Sequence, residues 1–244
     1  MTYEEKIEKL REIIAGSDNI VFFGGAGVST ESGIPDFRSE DGLYRQKYKY
    51  PPEFMLSHTC YATMPEEFFR YYKDKLLVTG IKPNKAHYKL AQWEKEGKLK
   101  AVITQNIDGL HQKAGSKKVY ELHGSVARNY CEKCHKFHDL EYIMDESNCR
   151  NLVPYCECGG RIKPDVVLYE EALDSDVISG AVAAISKADV LIIGGTSLAV
   201  YPAAGFIHYF RGDKLVLINK TPTGLDANAD LVIYDSIGKV MKMD

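Results

Sequence analysis

Three short polar runs in this chain each follow an apolar one, and their side chains are of the kinds that do chemistry. Gly25-Ala26-Gly27-Val28-Ser29-Thr30 follows residues 20–23, Gln105-Asn106-Ile107-Asp108 follows residues 101–104, and His123-Gly124 follows residues 119–122. Backbone N–H groups of a glycine-rich turn can cradle a pyrophosphate where a strand turns into a helix. A histidine titrates near neutrality and can take a proton, while asparagine and aspartate orient or accept from a polar ligand. Standing alone, Asn-x-Asp reads as a turn and a strand-end His-Gly as a backbone-satisfied pair. In an open α/β sheet, however, ligands bind beyond the C-terminal ends of the strands, so the three runs together read as one site.

The rest of the chain supplies elements that position such a site. Strands are expected at 20–24, 100–104, 119–122, 165–169, 189–193, 214–218 and 230–234. Several of them, such as Val190-Leu191-Ile192-Ile193, are continuous apolar runs, as a parallel sheet covered on both faces requires. Helices are expected at 2–15, 65–77, 83–96, 174–187 and 202–210. The first has Thr2 and Glu5 at capping-box spacing and Tyr3, Ile7, Leu10 and Ile14 on one face. Pro65, Pro83 and Pro202 stand at the starts of three others. The alternation predicts an α/β, Rossmann-like doubly wound sheet, interrupted by a tyrosine-rich helical stretch at 41–80 and a cysteine-bearing stretch at 126–163.

At 244 residues the chain is long enough to fold on one large core with a small insert. A net charge of −3 and a pI near 6.2, with no dominant basic run, disfavour nucleic-acid binding by bulk electrostatics, though basic peptides such as histone tails stay compatible. The first fifteen residues are densely charged and no apolar run approaches a membrane span, so a cytoplasmic protein without a membrane partner is expected.

Six cysteines in such a chain point to metal before disulfides. Cys131-Glu132-Lys133-Cys134 is a C-x-x-C pair, and Cys156-Glu157-Cys158, followed by Gly159 and Gly160, is a shortened one. Two such knuckles each supply two thiolates to a tetrahedral ion, so Cys131, Cys134, Cys156 and Cys158 are read as the ligands of one structural zinc. Cys149 is near enough to be an alternative fourth ligand. His135 and His138 are read as solvated, and Cys60 as a buried thiol.

Two function classes fit poorly. The glycine run is not a dehydrogenase fingerprint, because Thr30 stands where G-x-G-x-x-G ends and no acid closes a second strand roughly twenty residues on. The adenosine end of a dinucleotide would need other contacts, and Gly195-Thr196-Ser197 and Asn219 offer them. A zinc ribbon that grips nucleic acid needs a basic face, whereas Lys133, Lys136, Arg150, Arg161 and Lys163 are offset by Glu132, Asp139, Glu141, Asp145, Glu146 and Glu157.

The runs Gly25-Ala26-Gly27-Val28-Ser29, Gly33-Ile34-Pro35-Asp36-Phe37-Arg38, Thr104-Gln105-Asn106-Ile107-Asp108-Gly109-Leu110-His111, His123-Gly124 and Gly195-Thr196-Ser197-Leu198, with the cysteine pairs, resemble the sirtuin family. The resemblance spans residues 6–240 and preserves motif order. It implies an NAD-dependent protein lysine deacetylase of bacterial type, which transfers acetyl or another short acyl group to ADP-ribose and releases nicotinamide. Protein ADP-ribosyl transfer from the same site is the alternative. The implied organisation is an NAD-binding domain from 1–40, 81–125 and 164–244, a helical insert with the cofactor loop at 41–80, and a zinc ribbon at 126–163.

The resemblance also implies roles. His123 is the base that deprotonates a ribose hydroxyl, and Asn106 orients ribose or water. Gln105 bonds ribose hydroxyls and Asp108 accepts from the nicotinamide carboxamide. Phe37 shields that pocket and Arg38 lies near the phosphates. Gly25, Ala26, Gly27, Thr30, Ile107, Gly195, Thr196, Ser197, Asn219 and Ile237 complete the cofactor shell. An acyl-lysine peptide adds as a strand between Val166-Val167-Leu168, with Tyr169, and the segment from Leu198 to Tyr201; a monomer is expected. Gly25 replaces a common Thr, and Tyr169-Glu170-Glu171 a common Phe-Gly-Glu. Succinyl-preferring members carry Tyr-x-x-Arg where this chain reads Tyr72-Lys73-Asp74-Lys75. Lys75 lacks the planar fork that grips a carboxylate, so uncharged short acyl groups are expected.

Overall fold

The computed structural model describes residues 1–36 and 48–242. Along the chain the strands are β1 (Ile20–Gly24), β2 (Leu99–Thr104), β3 (Val119–Glu121), β4 (Gly124–Cys131), β5 (Phe137–His138), β6 (Cys149–Arg150), β7 (Val153–Pro154), β8 (Ile162–Val166), β9 (Val190–Gly194), β10 (Lys214–Asn219) and β11 (Leu231–Tyr234). The α-helices are α1 (Tyr3–Ala15), α2 (Pro52–Met55), α3 (His58–Thr63), α4 (Pro65–Lys75), α5 (Lys85–Lys95), α6 (Leu110–Ala114), α7 (Leu140–Met144), α8 (Ser175–Lys187) and α9 (Ile237–Val240).

The apolar runs assemble a six-stranded sheet in the order β11-β10-β9-β1-β2-β3, parallel throughout. Successive side chains of each strand point to opposite faces, and both faces are buried. Ile20, Phe22, Val102, Ile192, Val216 and Ile218 share a core with Leu10 of α1, Leu90 of α5 and Val240 of α9. Val21, Phe23, Ile103, Leu191, Ile193 and Leu217 share another with Ala181 and Ile185 of α8. A third, aromatic-rich core joins Tyr61, Phe68, Phe69 and Tyr72 of α3 and α4 to Ile162 and Val166 of β8. The Thr2–Glu5 capping box forms as expected, with Thr2 Oγ1 accepting from Glu5 N.

Four expectations need correction. The expected strand at 165–169 is instead β8, which ends at Val166 and pairs antiparallel with β4 in a three-stranded sheet, β5-β4-β8. β4 itself was invisible, because Arg128, Asn129 and Tyr130 break any clean alternation. The glycine run enters two short 3-10 turns, Ala26–Val28 and Thr30–Ser32, and no α-helix. Pro65 opens α4, but Pro83 precedes the Asn84 cap of α5, and Pro202 precedes a 3-10 segment, Ala203–Tyr209.

Candidate active site

The chain runs from β1 outward to β2 and β3, then returns to β9 on the other flank of β1. The strand ends of β1 and β9 are therefore a topological switch point, where the following loops part and leave a crevice. Those loops meet at their base. Gly27 N donates to Gly195 O at 2.8 Å, and a Cβ on Gly27 would lie 2.8 Å from Gly195 Cα. A Cβ on Gly25 would lie 2.9 Å from Thr196 Cβ. Glycine is required here by close approach. Leu198, just beyond, is held at φ +55°, a left-handed conformation that leucine rarely adopts.

One network links the glycine loop to the second polar run. Ser29 Oγ donates to Asp108 Oδ2 at 2.6 Å and accepts from Asn106 Nδ2 at 3.1 Å. Asp108 Oδ1 accepts from Leu110 N, so both carboxylate oxygens are held. Gln105 Nε2 donates to Thr196 Oγ1 at 3.1 Å, crossing from the β2 end to the β9 end. His123 is half-buried, and its Nδ1 lies 2.9 Å from Gln105 O. A carbonyl only accepts, so Nδ1 carries the proton and Nε2 presents a lone pair. Burial pushes the His123 pKa below the ordinary value, against the opposing pull of the Gln105 carbonyl, and the imidazole is neutral at pH 7.

Beneath this layer lie two histidines to which the sequence assigns no role. His87 and His111 are buried with ring centroids 4.7 Å apart, and burial lowers their pKa values to about 4 and about 3. Asn84 caps α5 and donates to Val28 O and Ser32 Oγ, anchoring the glycine loop from below.

The four paired cysteines converge. All four sulfurs lie within 4.8 Å of one another, with Cys131 to Cys158 at 3.5 Å, Cys134 to Cys158 at 3.4 Å and Cys134 to Cys156 at 3.7 Å. A tetrahedral zinc with Zn–S near 2.3 Å sets its sulfurs about 3.8 Å apart, so the set fits that ion. Cys149 is outside the cluster, its sulfur 3.3 Å from Lys73 Nζ. Cys60 is buried, which pushes its pKa up to about 11. His138 is not solvated: it is buried against Tyr142, at a ring distance of 4.1 Å.

The Sir2 family model matches residues 25–202, and the chain is 61% identical over 241 residues to the NAD-dependent protein deacetylase of Clostridium acetobutylicum, across 98% of this chain and 97% of that relative. The chain belongs to the Sir2 family. A Clostridium perfringens relative of the same description is 63% identical over 242 residues, covering 98% of both. Among solved structures, a Sir2 bound to deacetylated p53 peptide and 3'-O-acetyl-ADP-ribose matches with a TM-score of 0.89 at 38% identity, over 97% of this chain and 96% of that one. A Sir2 with p53 peptide and NAD+ matches at 0.85 and 37% identity, over 97% and 95%.

Within this Sir2 chain, Ala26, Gly27, Thr30, Gln105, Ile107, Asp108, His123, Ser197 and Asn219 reach the surface around the crevice, whereas Gly25, Asn106, Gly195 and Thr196 are buried in its walls. Ile237 opens α9, its side chain 2% exposed and packed under Gly194 at the end of β9. Phe37 and Arg38 lie outside the described residues. Val167 N donates to His123 O, Leu168 N to Glu171 Oε2 and Tyr169 N to Leu56 O. Leu198 to Tyr201 is irregular, with bends and a turn at Tyr201, and forms no strand. Tyr72 is fully buried with its hydroxyl unpartnered among the described residues, while Lys75 Nζ rests on Asp74 at 2.9 Å. Glu170 occupies φ +76° where a glycine would be relaxed, and its carboxylate holds Thr59 N and Oγ1 at 2.9 and 2.7 Å. No described helix is long and apolar enough to cross a membrane.

Proposed function

We propose that this protein removes acetyl or other short, uncharged acyl groups from lysine side chains of proteins, with NAD as co-substrate and His123 as the proton acceptor. The observation that carries the reading is the His123 geometry: a neutral imidazole with Nδ1–H fixed on Gln105 O and Nε2 left as acceptor beside the β1–β9 crevice. When bound, NAD supplies an electrophilic ribose carbon with a cationic leaving group. The chain's own residues then have distinct tasks. Gly25, Ala26, Gly27 and Thr30, with Gly195, Thr196, Ser197 and Asn219, would hold the dinucleotide along the switch point. Asp108, pinned by Ser29 and Leu110 N, is an acceptor suited to a carboxamide N–H. Asn106, held by Ser29, orients a ribose hydroxyl or water, and Gln105 binds ribose. His123 withdraws a proton from a ribose hydroxyl, for which a base neutral at pH 7 is matched.

The acyl-lysine peptide would add as a strand between residues 166–169 and 198–201, exchanging the Leu168 N–Glu171 bond for one of its own. Backbone pairing reads little sequence, so selectivity falls to the acyl channel and the rims. Cys131, Cys134, Cys156 and Cys158 would hold one zinc with no open position, a structural role. A cytoplasmic monomer completes the reading. His123→Ala should lower deacylation by a factor on the order of 10² or more while NAD binding, measured by calorimetry, persists. Activity within a few-fold of wild type would contradict the role given to His123.

A further inference from the structure

We infer that Arg128 is a positioning residue for His123, clamping the crossing between the two sheets in which that histidine sits. The inference rests on the reading of His123 as the base. The chain leaves the parallel sheet at Glu121 and enters the antiparallel one at Gly124, so Leu122 and His123 form the whole crossing. Gly124 takes φ +74°, and a Cβ there would fall on the Asp165 carbonyl oxygen, so β4 and β8 are in tight contact just where the crossing ends.

Arg128 ties both ends of the crossing together. Its Nη1 donates to Glu121 Oε2 and its Nε to Asp165 Oδ2, each at 2.7 Å. Glu121 lies on the strand before His123. Asp165 adjoins Val166, which pairs with Gly124, and Val167 N donates to His123 O at 3.0 Å. The guanidinium reaches back only because β4 is bulged: pairing advances from Gly124 to Asn129 on β4 while β8 moves only from Val166 to Pro164. Bulges beside active sites re-aim side chains in this way. The Glu121 side chain is 7% exposed, and a carboxylate so covered is stable only when paired.

His123 depends on this frame. Among the described residues its ring has one hydrogen bond, Nδ1 to Gln105 O, so where Nε2 points depends on the path of the backbone that carries the ring. The charged groups around the crossing are Glu121 on β3, Arg128 on β4 and Asp165 on β8. None of them acts on the imidazole directly, whose titration responds to burial and to the Gln105 carbonyl. Loosening the clamp would therefore be felt as displacement and hydration of the ring.

The test compares Arg128→Gln and Arg128→Lys with wild type in the zinc-loaded full chain, reading kcat, KM, metal content and the His123 titration by NMR of labelled histidine. A misplacement near 1 Å costs up to about 10²-fold, so Arg128→Gln should lose kcat by about tenfold to a hundredfold with KM for NAD and zinc content held. The His123 titration should move up toward the ordinary value, and Arg128→Lys, which keeps the charge but grips one carboxylate, should fall between. Unchanged kcat, or lost kcat with an unmoved His123 titration or with loss of zinc, would overturn the inference. The titration is read without substrate, so it reports Arg128's hold on the ring even if His123→Ala proved active and the base assignment failed.

Discussion

Gly27→Ala tests whether the crevice exists because two backbones touch. The added Cβ would sit 2.8 Å from both Gly195 Cα and Gly195 O, neither of which is the end of a flexible side chain. Carbon contacts relax at about 3.5–4.0 Å, so the loops after β1 and β9 must part by roughly 1 Å. Overpacking of this kind costs about 1–3 kcal/mol, and stretching the Gly27 N–Gly195 O bond removes about 1 kcal/mol more. At about 2–4 °C per kcal/mol for a chain of this size, the melting temperature should fall by roughly 4–16 °C. Because the parted loops are those that would hold NAD, affinity should drop by at least about tenfold, near 1.4 kcal/mol. Scanning calorimetry and titration calorimetry read the two effects. Gly80→Ala is the control: φ is +73° but no atom lies within 4 Å of the added Cβ, so it should lose a little stability and no NAD affinity. A Gly27→Ala protein with wild-type melting and NAD affinity would refute the reasoning.

Three further outcomes are expected. Because burial holds His87 and His111 near 4 and 3, the unfolded chain binds more protons than the native one between those values and about 6.5. Stability is then full above pH 6.5 and falls as pH drops, by on the order of 2 kcal/mol per histidine at pH 5; urea titrations of His111→Asn should show a shallower slope, and an unchanged slope would count against it. Structural zinc contributes on the order of 10 kcal/mol to small sites, so Cys131→Ser should lose metal and soluble fold together, whereas Cys149→Ser should retain one zinc per chain by metal analysis. With Lys75 on Asp74 and Tyr72 buried, matched peptides should show preference for acetyl over succinyl; a succinyl preference of about tenfold in kcat/KM would overturn that.

How far the site was legible follows from which contacts are local. Strands such as Val190–Gly194 are buried on both faces and read as apolar runs, and the C-x-x-C and C-x-C spacings carry their own metal geometry. β4 did not read, since its buried and open positions follow no strict alternation and it carries a bulge. The importance of Ser29 was equally hidden: it sits in a quoted motif, but its role arises only when the fold brings Asp108 to it. His138 was misplaced because burial is a property of the packed neighbours, here Tyr142. Arg128 has no sequence signal of its own, because its two partners come from strands separated in sequence.

The most direct measurement of the central claim is a product balance. The protein, NAD and an acetyl-lysine peptide are incubated and the mixture is followed by mass spectrometry. Nicotinamide, deacetylated peptide and O-acetyl-ADP-ribose should appear in equal amounts, and all three should slow together in His123→Ala. Nicotinamide release with the peptide still acetylated and ADP-ribose attached to protein would contradict it.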